Sequence, residues 1–255
     1  MLSRAELLGQ LMKNYDVPVA ISGTHGKTTT TSMLSHILLA AKKDPTISVG
    51  GILKAIGGNI RVGSSELFVT EACEYTNSFL HFFPKIAVIL NIDADHLDFF
   101  KDLDDIRHSF RRFAQLLPAD GTLIINKEIE HLEEITDGLS CRVVTFGLDS
   151  SADYYADQIS HDETGNAAFH VVSHGKDTGR VELSVKGDHN ICNALSVIAV
   201  ADLLDISRDD VCSGLQSFTG TDRRFEYKGD WNGVTVIDDY AHHPTEIKAT
   251  LKAAD

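Results

Sequence analysis

The sequence has few basic residues: 23 Lys and Arg stand against 37 Asp and Glu, a formal net charge of −14 over 255 residues. Binding to a phosphate backbone depends on clustered cations, so this balance argues against nucleic acid as a partner. No apolar run approaches the ~20 residues needed to span a bilayer. The longest run, residues 191–204, is interrupted by Asn193, Ser196 and Asp202. We therefore expect a soluble protein without membrane insertion.

Cysteine is also scarce, with four residues and no C-x-x-C pair, at Cys73, Cys141, Cys192 and Cys212. This scatter does not suit a disulfide framework or a paired-thiol metal site, and we expect reduced thiols in the cytoplasm. Apolar residues, in contrast, make up 43% of the chain. That is enough for a sizeable core, in one large domain or in one domain with parts of its neighbours.

The organising stretch is residues 17–31, an apolar run that ends in G-T-H-G-K-T. It predicts a buried strand, a glycine turn and the start of a helix. The two glycines allow backbone N–H groups to point inward, Lys27 adds a cation, and the Thr28 hydroxyl suits Mg²⁺, so the turn is a candidate cradle for a nucleoside triphosphate. The longer Walker pattern would need glycine where this chain has Ile21. The alternative, a glycine turn with an incidental surface lysine, is disfavoured by the flanking patterns.

The rest of the chain alternates predicted strands and helices, which indicates an α/β fold with a mostly parallel, doubly wound sheet. Strands are expected at 67–70, 85–90, 122–125 and 142–146, and helices at 2–12, 28–43, 106–117, 129–135, 189–204 and 207–217. Glycine pairs at 50–51 and 57–58 predict a loop-rich segment, and residues 152–186 a small antiparallel patch. Short strands at 225–227 and 233–237 lead to a last helix. We expect the chain to begin and end partway through a larger protein.

Two acidic clusters follow predicted strands, at the edge of a parallel sheet where sites lie. Glu71 and Glu74 form the first, and a carboxylate there is as consistent with a solvated loop as with a Mg²⁺ ligand beside Thr28. The second, D-A-D-H-L-D at 93–98, favours a metal role over turn capping, because its charges repel one another unless a cation offsets them. Mg²⁺ or Mn²⁺ is preferred, since zinc would need more histidine or cysteine.

Two further polar clusters lie towards the C-terminus. His189 and Asn190 stand at a predicted helix start, where an N-cap is favoured over contact with a nucleotide base. The pairs at 223–224, 238–239 and 242–243 are two arginines, two aspartates and two histidines. An arginine could stabilise phosphoryl charge and an aspartate could hold a ribose, although ordinary surface pairs use the same residues.

Six ordered motifs together resemble the Mur ligase family, the ATP-dependent amide-forming enzymes of peptidoglycan synthesis. They are G-T-H-G-K-T-T-T-T (23–31), E-A-C-E-Y (71–75) with S-F-L (78–80), N-I-D-A-D-H-L-D (91–98), G-D-H-N-I-C-N-A-L (187–195), R-R-F-E (223–226) and D-D-Y-A-H-H-P-T-E (238–246). The resemblance implies three domains. This chain would hold the end of the first domain or its linker (1–16), the ATP-binding central domain (17–222) and the start of the C-terminal ligase domain (223–255).

The resemblance also implies which residues bind ATP. The loop residues concerned are Gly23, Thr24, His25, Gly26, Lys27, Thr28 and Thr29. Lys27 would contact the β and γ phosphates, and Arg224 would face the γ phosphate from the next domain. Asn190 would meet the adenine, and Asp239 would lie near the ribose.

The metal ligands are implied in the same way. Thr28 and Glu71 would hold one Mg²⁺ and His96 a second, with Mn²⁺ as a possible substitute. The residues implied in catalysis are Lys27, His96 and Arg224. Several family members add a carbamylated lysine some residues after the D-H pair. Lys101 is too close to that pair to fill the role, so the ligand stays unassigned.

The implied reaction joins L-alanine to the lactyl carboxylate of UDP-N-acetylmuramate through an acyl phosphate, and converts ATP to ADP and phosphate. One alternative is the ligase that attaches a recycled tripeptide to the same sugar nucleotide, because it shares the D-D-Y-A-H-H-P-T-E type of motif. Another is a nucleotide-binding module without ligase activity. A folate-polyglutamate type of ligase is disfavoured by the D-D-Y-A-H-H-P stretch.

Overall fold

The structure is a computed structural model that describes residues 2–222 and 225–254. Its strands are β1 (Val17–Ser22), β2 (Thr46–Leu53), β3 (Gly58–Arg61), β4 (Leu67–Glu71), β5 (Ile86–Ile89), β6 (Thr122–Asn126), β7 (Arg142–Gly147), β8 (Tyr154–His161), β9 (Asn166–Ser173), β10 (Lys176–Lys186), β11 (Glu226–Trp231) and β12 (Val234–Asp238). Its α-helices are α1 (Arg4–Met12), α2 (Lys27–Ala40), α3 (Leu103–Ala114), α4 (Leu132–Thr136), α5 (His189–Leu203), α6 (Arg208–Ser217) and α7 (Pro244–Ala254). Short 3₁₀ helices lie at Lys54–Ile56 and Tyr75–His81.

Ten strands form one sheet in the order β10-β9-β8-β7-β6-β5-β1-β4-β2-β3. The pairs from β8 across to β2 are parallel, and the antiparallel pairs lie at the two ends. Val19 and Ile21 of β1 pack in the apolar cluster of α2 and α5, whereas Ala20 packs in the cluster of α3. Because side chains alternate across a strand, helices cover both faces, and the predicted doubly wound α/β fold is confirmed.

The loop-rich segment predicted around residues 50–58 is wrong, because β2 and β3 form an antiparallel pair there. Gly50 explains the error. A Cβ at this position would lie 2.7 Å from Oε2 of Glu71. The glycine therefore allows the close approach of a side chain within a strand and does not mark a turn.

The antiparallel strands predicted within 152–186 are present as β8, β9 and β10. They extend the main sheet, since β8 pairs in parallel with β7 through Phe146 and Tyr154. Helix α3 begins at Leu103 and not at 106, because the side chain of Asp102 caps it by accepting from the Asp105 N–H at 3.0 Å. Strands β11 and β12 form a separate hairpin, and α7 follows it as predicted.

Helix α1 packs against the central part of the molecule through Met12, which is fully buried with Phe79 and Phe113 in one apolar cluster. The domain boundaries expected at 17 and 223 stay predictions. Among residues 2–222 and 225–254, no helix combines the length and the hydropathy that a bilayer crossing requires.

Gly214 lies where α6 crosses α2, and we predict that alanine there destabilises the chain. A Cβ would lie 2.4 Å from the Cα of Ile37 and 2.7 Å from its backbone N. Backbone atoms cannot move aside cheaply, so overpacking of about 1–3 kcal/mol should outweigh the ~1 kcal/mol by which alanine favours a helix over glycine. Urea unfolding measures the difference. Gly58→Ala is the control, since nothing lies within 4 Å of a Cβ at Gly58. A Gly214→Ala chain as stable as wild type would contradict this packing.

Candidate active site

The phosphate-loop sequence forms a tight connection between β1 and α2, at the carboxyl edge of the parallel strands. Gly23 and Gly26 have φ of +146° and +83°, and a Cβ at either would come within 2.9 Å of a neighbouring side-chain atom. Asn91, just after β5, holds the loop from the side: its Oδ1 accepts from the His25 N–H at 2.8 Å, and its Nδ2 donates to the His25 carbonyl at 3.1 Å. Thr24 is tied to the same segment, because its Oγ1 accepts from the Asp93 N–H at 2.9 Å. The loop is thus fixed by the neighbouring strand end.

Lys27, the first residue of α2, points back across the loop. Its Nζ donates to the carbonyls of Gly23 at 2.5 Å and Thr24 at 3.0 Å, and lies 2.9 Å from Oε2 of Glu74. Glu74 is only 2% exposed. The sequence suggested Glu74 only as a loop or metal carboxylate. The contact between Glu74 and Lys27 depends on the parallel pairing of β1 with β4, which brings the segments after these two strands side by side.

The predicted metal ligands lie beside this lysine. The Oγ1 of Thr28 donates to Oε2 of Glu71 at 3.2 Å, and Oε1 of Glu71 accepts from the Gly50 N–H at 2.5 Å. Nε2 of His96 lies 3.7 Å from Oε1 of Glu74. A hydroxyl and a carboxylate in contact are the oxygen donors that a hard divalent cation takes, so Thr28 and Glu71 fit Mg²⁺. The imidazole of His96 is a nitrogen donor, which transition-metal ions such as Mn²⁺ accept more readily than Mg²⁺ does.

His96 is held in place by its own segment. Its backbone has φ of +53°, and its N–H donates to the side chain of Asp95 at 2.6 Å. The ring lies 4.5 Å from the ring of Tyr75, whose hydroxyl donates to Asp98 at 2.8 Å. The acidic cluster at 93–98 is therefore divided: Asp95 and Asp98 orient the His96 side of the segment, whereas Asp93 contacts His25 at 3.1 Å.

A cavity of about 660 Å³ adjoins the loop. Its lining includes His25, Gly26, Thr29, Asn190, Asn193, Asp239 and residues of α7. Lys27, Thr28, Glu71 and His96 do not line it. The structure thus brings the predicted adenine and ribose residues to one side of the loop and the predicted metal ligands to another.

Asn190 lies inside α5 and is not its cap, since the cap residue is Asp188. Its Nδ2 donates to the Lys186 carbonyl at 2.7 Å, and its Oδ1 accepts from Asn193 at 2.9 Å. Asn193 was missed in the sequence, although its spacing of three residues from Asn190 places both on one face of a helix. His189 also lines the cavity, and burial lowers the pKa of its imidazole.

The C-terminal segment completes the cavity wall. Oδ2 of Asp239 accepts from the Phe225 N–H at 2.9 Å, and its Oδ1 accepts from the Ala241 N–H at 2.7 Å. These bonds fix the carboxylate at the end of β12. Arg224, predicted to face the γ phosphate, lies outside the described residues.

His25 has partners that the sequence did not indicate. Its Nε2 lies 3.1 Å from Oδ2 of Asp93, and its Nδ1 lies 3.2 Å from Oε1 of Glu246 in α7. Its ring is 4.6 Å from that of His243. Burial alone would lower the pKa of His25, but the hydrogen bonds to Asp93 and Glu246 outweigh it and raise the pKa from 6.5 to about 9.

This raised pKa predicts a pH-dependent contribution to stability. Protonated His25 faces Asp93 and Glu246, with His243 beside it, so the stabilisation is fully present below the unfolded pKa of 6.5 and is lost as pH rises through about 9. We expect the difference in melting temperature between wild type and Glu246→Gln to shrink between pH 7 and pH 10. A difference that stays constant over that range would show that His25 is not the titrating partner of Glu246.

Two family models match the chain. One, described as the Mur ligase middle domain, matches residues 21–201, and the other, described as Mur ligase, glutamate ligase domain, matches residues 223–255. The first match alone covers more than half of the chain. The chain belongs to the Mur ligase family. The resemblance predicted from the six motifs is therefore confirmed.

Curated Mur ligases are similar along the whole chain. A protein named UDP-N-acetylmuramate–L-alanine ligase from Agathobacter rectalis is 59% identical over 254 residues, which is 100% of this chain and 55% of that protein. A protein of the same name from Clostridium botulinum (strain Okra) is 54% identical, with the same coverage of 100% and 55%. The chain thus spans about half the length of the curated relatives it matches.

Solved Mur ligase structures share the fold. UDP-N-acetylmuramate-alanine ligase from Thermotoga maritima has a TM-score of 0.84 and 32% identity, over 98% of this chain and 57% of that one. UDP-N-acetylmuramate:L-alanyl-gamma-D-glutamyl-meso-diaminopimelate ligase from Neisseria meningitides has a TM-score of 0.78 and 30% identity, over 87% of this chain and 72% of that one. The parallel sheet with the glycine loop after its first strand is therefore the fold of a Mur ligase.

Proposed function

We propose that this chain is the ATP-using part of a ligase that joins L-alanine to the lactyl carboxylate of UDP-N-acetylmuramate. The observation that carries the proposal is the glycine loop with Lys27 at its end, which has the Thr28–Glu71 pair on one side and a 660 Å³ cavity on the other. An arrangement of this kind can bind a nucleotide and present its phosphates to an acceptor. The 59% identity to a protein named for this reaction supports the choice of substrates.

In this proposal, different residues of the site contact the phosphates, the adenine and the ribose of the nucleotide. The backbone N–H groups at the start of α2, from Gly26 to Thr29, bind the phosphates, residues 23–25 shape the loop, and Lys27 contacts the β and γ phosphates. Asn190 meets the adenine and Asp239 binds near the ribose, both on the cavity side of the loop. Arg224 would approach the γ phosphate from the C-terminal domain, which we place at 223–255, after a central domain of 17–222.

Thr28 and Glu71 would hold one Mg²⁺ and His96 a second, with Mn²⁺ as a substitute. When bound, such ions neutralise the charge of the phosphate oxygens. Glu74 keeps Lys27 beside these residues, because its carboxylate lies 2.9 Å from Nζ. Lys27 and Thr28 are therefore each in contact with a carboxylate at the end of β4 or just after it.

The proposed reaction has two steps. An oxygen of the lactyl carboxylate attacks the γ phosphorus of ATP, the bond to the β-phosphate oxygen breaks, and ADP leaves. The amine of L-alanine then attacks the carbonyl carbon of the acyl phosphate, phosphate leaves, and the amine proton passes to solvent. Phosphoryl transfer of this kind needs mainly alignment and charge stabilisation, which we assign to Lys27, His96 and Arg224. ATP is available for it in the cytoplasm, the compartment that we propose and with which four free cysteines are consistent.

A second candidate is the ligase that attaches a tripeptide to UDP-N-acetylmuramate. The observation that favours it is the similarity to the Neisseria structure, whose name specifies L-alanyl-gamma-D-glutamyl-meso-diaminopimelate. The identity of 30% is lower than the 59% to the alanine ligase, so we rank it second. The two candidates share the ATP chemistry and differ in the amine that reacts.

Phosphate release by the full-length gene product tests both candidates. The reaction contains ATP, Mg²⁺, UDP-N-acetylmuramate and either L-alanine or the tripeptide, and each component is left out in turn. We expect release only when all are present with L-alanine. Release with the tripeptide alone would favour the recycling ligase, and release without the sugar nucleotide would indicate a plain ATPase. No release at all would leave a nucleotide-binding module and overturn the proposed ligase.

A further inference from the structure

Helix α7 contacts the central part of the chain at both of its ends. Near its start, Oε1 of Glu246 lies 3.2 Å from Nδ1 of His25 in the phosphate loop. Near its end, Nζ of Lys252 donates to Oδ2 of Asp188, the cap residue of α5, at 2.8 Å. The two contacts are six residues apart, which is about 9 Å along a helix. His25 belongs to the loop assigned to the phosphates, and Asp188 lies two residues before Asn190, which is assigned to the adenine.

The middle of α7 forms part of the cavity wall. Ala249 and Thr250, which lie between the two ion pairs in the sequence, line the same cavity as Asn190 and Gly26. One further contact, from Nε2 of His243 to the Ala94 carbonyl at 3.1 Å, fixes the residue that precedes the helix. Part of the cavity wall is therefore formed by α7, which is held on the loop and on α5 by these contacts.

The side chain of His25 is well placed to hold α7 against the loop. It is 13% exposed, and its backbone is fixed by both side-chain atoms of Asn91. One ring nitrogen lies 3.1 Å from a carboxylate oxygen of Asp93 and the other lies 3.2 Å from one of Glu246, so the charge of the imidazolium is paired on both sides. Asp93 lies in the loop after β5 and Glu246 belongs to α7, so the ring bridges two parts of the chain that are distant in sequence.

We propose that His25 is a positioning residue that docks α7 onto the phosphate loop, with Lys252 and Asp188 as the second anchor. The inference rests on the proposed function, because it takes the cavity beneath α7 to be the nucleotide site. Docking and nucleotide binding are then coupled: a nucleotide that contacts both walls favours the seated helix, and a seated helix raises nucleotide affinity by the same factor. The backbone N–H and carbonyl of His25 are both bonded to Asn91, so the docking role belongs to the side chain alone.

Hydrogen exchange of residues 244–254 and calorimetric titration with ADP test the proposal on the 255-residue chain, with EDTA present. We expect Glu246→Gln to lower protection of the α7 amides and affinity for ADP, each by about ten-fold, since it removes the charge that pairs with the His25 imidazolium. Lys252→Gln should lower both further, and its effect should multiply with that of Glu246→Gln. Lys228→Gln is the matched control, because Lys228 pairs with Glu226 and Asp238 inside the C-terminal segment.

A double-mutant cycle separates positioning from a general loss of structure. His25→Gln and Glu246→Gln remove opposite ends of one contact, so the double variant should bind ADP about as weakly as either single variant. If the two losses in affinity multiply, or if α7 stays as protected in Glu246→Gln as in wild type while ADP binds, the docking role of His25 is overturned. If the wild-type chain does not bind ADP, the proposed function fails, whereas protection of α7 without nucleotide still tests the docking contact itself.

Discussion

Replacement of Lys27 with methionine is expected to lower the affinity of the chain for ATP by about 10- to 100-fold. The reason is the loss of a cation that we place on the β and γ phosphates, since charged hydrogen bonds contribute about 1.5–3 kcal/mol. ADP affinity should fall less, because only the β phosphate loses its contact. Calorimetric titration of both nucleotides gives the two numbers in one series.

Lys27 also stabilises a buried carboxylate, which complicates the single variant. Its Nζ lies 2.9 Å from Oε2 of Glu74, and Glu74 is 2% exposed. Breaking such a pair from one side leaves a buried charge unpaired, at a cost of about 3–5 kcal/mol. The double variant Lys27→Met/Glu74→Gln removes both charges and should recover the unfolding midpoint. If that recovered chain bound ATP as wild type does, Lys27 would not be a phosphate ligand.

Glu71→Gln is expected to abolish most of the gain in ATP affinity that Mg²⁺ provides. Glutamine keeps the shape and can still accept from the Gly50 N–H, but it lacks the negative charge that a hard cation prefers beside Thr28. Loss of even an outer-shell partner costs about 10- to 100-fold in metal affinity, so we expect at least that change for Glu71. ATP titrations with Mg²⁺ and with EDTA, repeated for each variant, measure it.

The control for this experiment lies at the other end of the same strand. Glu66→Gln removes an equal charge from an exposed position just before β4. Its Mg²⁺ dependence should match that of wild type. A Glu71→Gln chain that keeps the full Mg²⁺ effect, with ATP affinity in EDTA unchanged, would remove Glu71 from the set of metal ligands.

The sequence predicted much of the fold from its patterns. The continuous apolar runs at β1, β5 and β6 indicated strands buried on both faces, and the helical spacing after each indicated a parallel sheet. The prediction of the segment around residue 50 was wrong because glycine is common both in loops and at close contacts within strands. Gly50 was taken as a loop signal, because a sequence cannot show that the glycine makes room for Glu71.

The candidate site was predictable to the extent that its residues are neighbours in a motif. The G-T-H-G-K-T motif predicted a tight turn at its two glycines. Both glycines have the positive φ values that such a turn needs. Asn190 was linked to the base by resemblance, whereas Asn193, which bonds to it at 2.9 Å, was not assigned to the site. A residue that only orients another side chain of the site belongs to no motif that the sequence analysis could have used to find it.

By itself the sequence determined the family, the sheet and the order of the functional motifs, because these depend on local periodicity and on residues close together in the chain. Only the tertiary structure decided which carboxylates meet which cations. Glu74 partners Lys27 because β4 pairs with β1, and Glu246 reaches His25 because α7 is seated over the loop. Such pairs are set by strand order and docking, and the free energy of a charge depends on what it faces once buried.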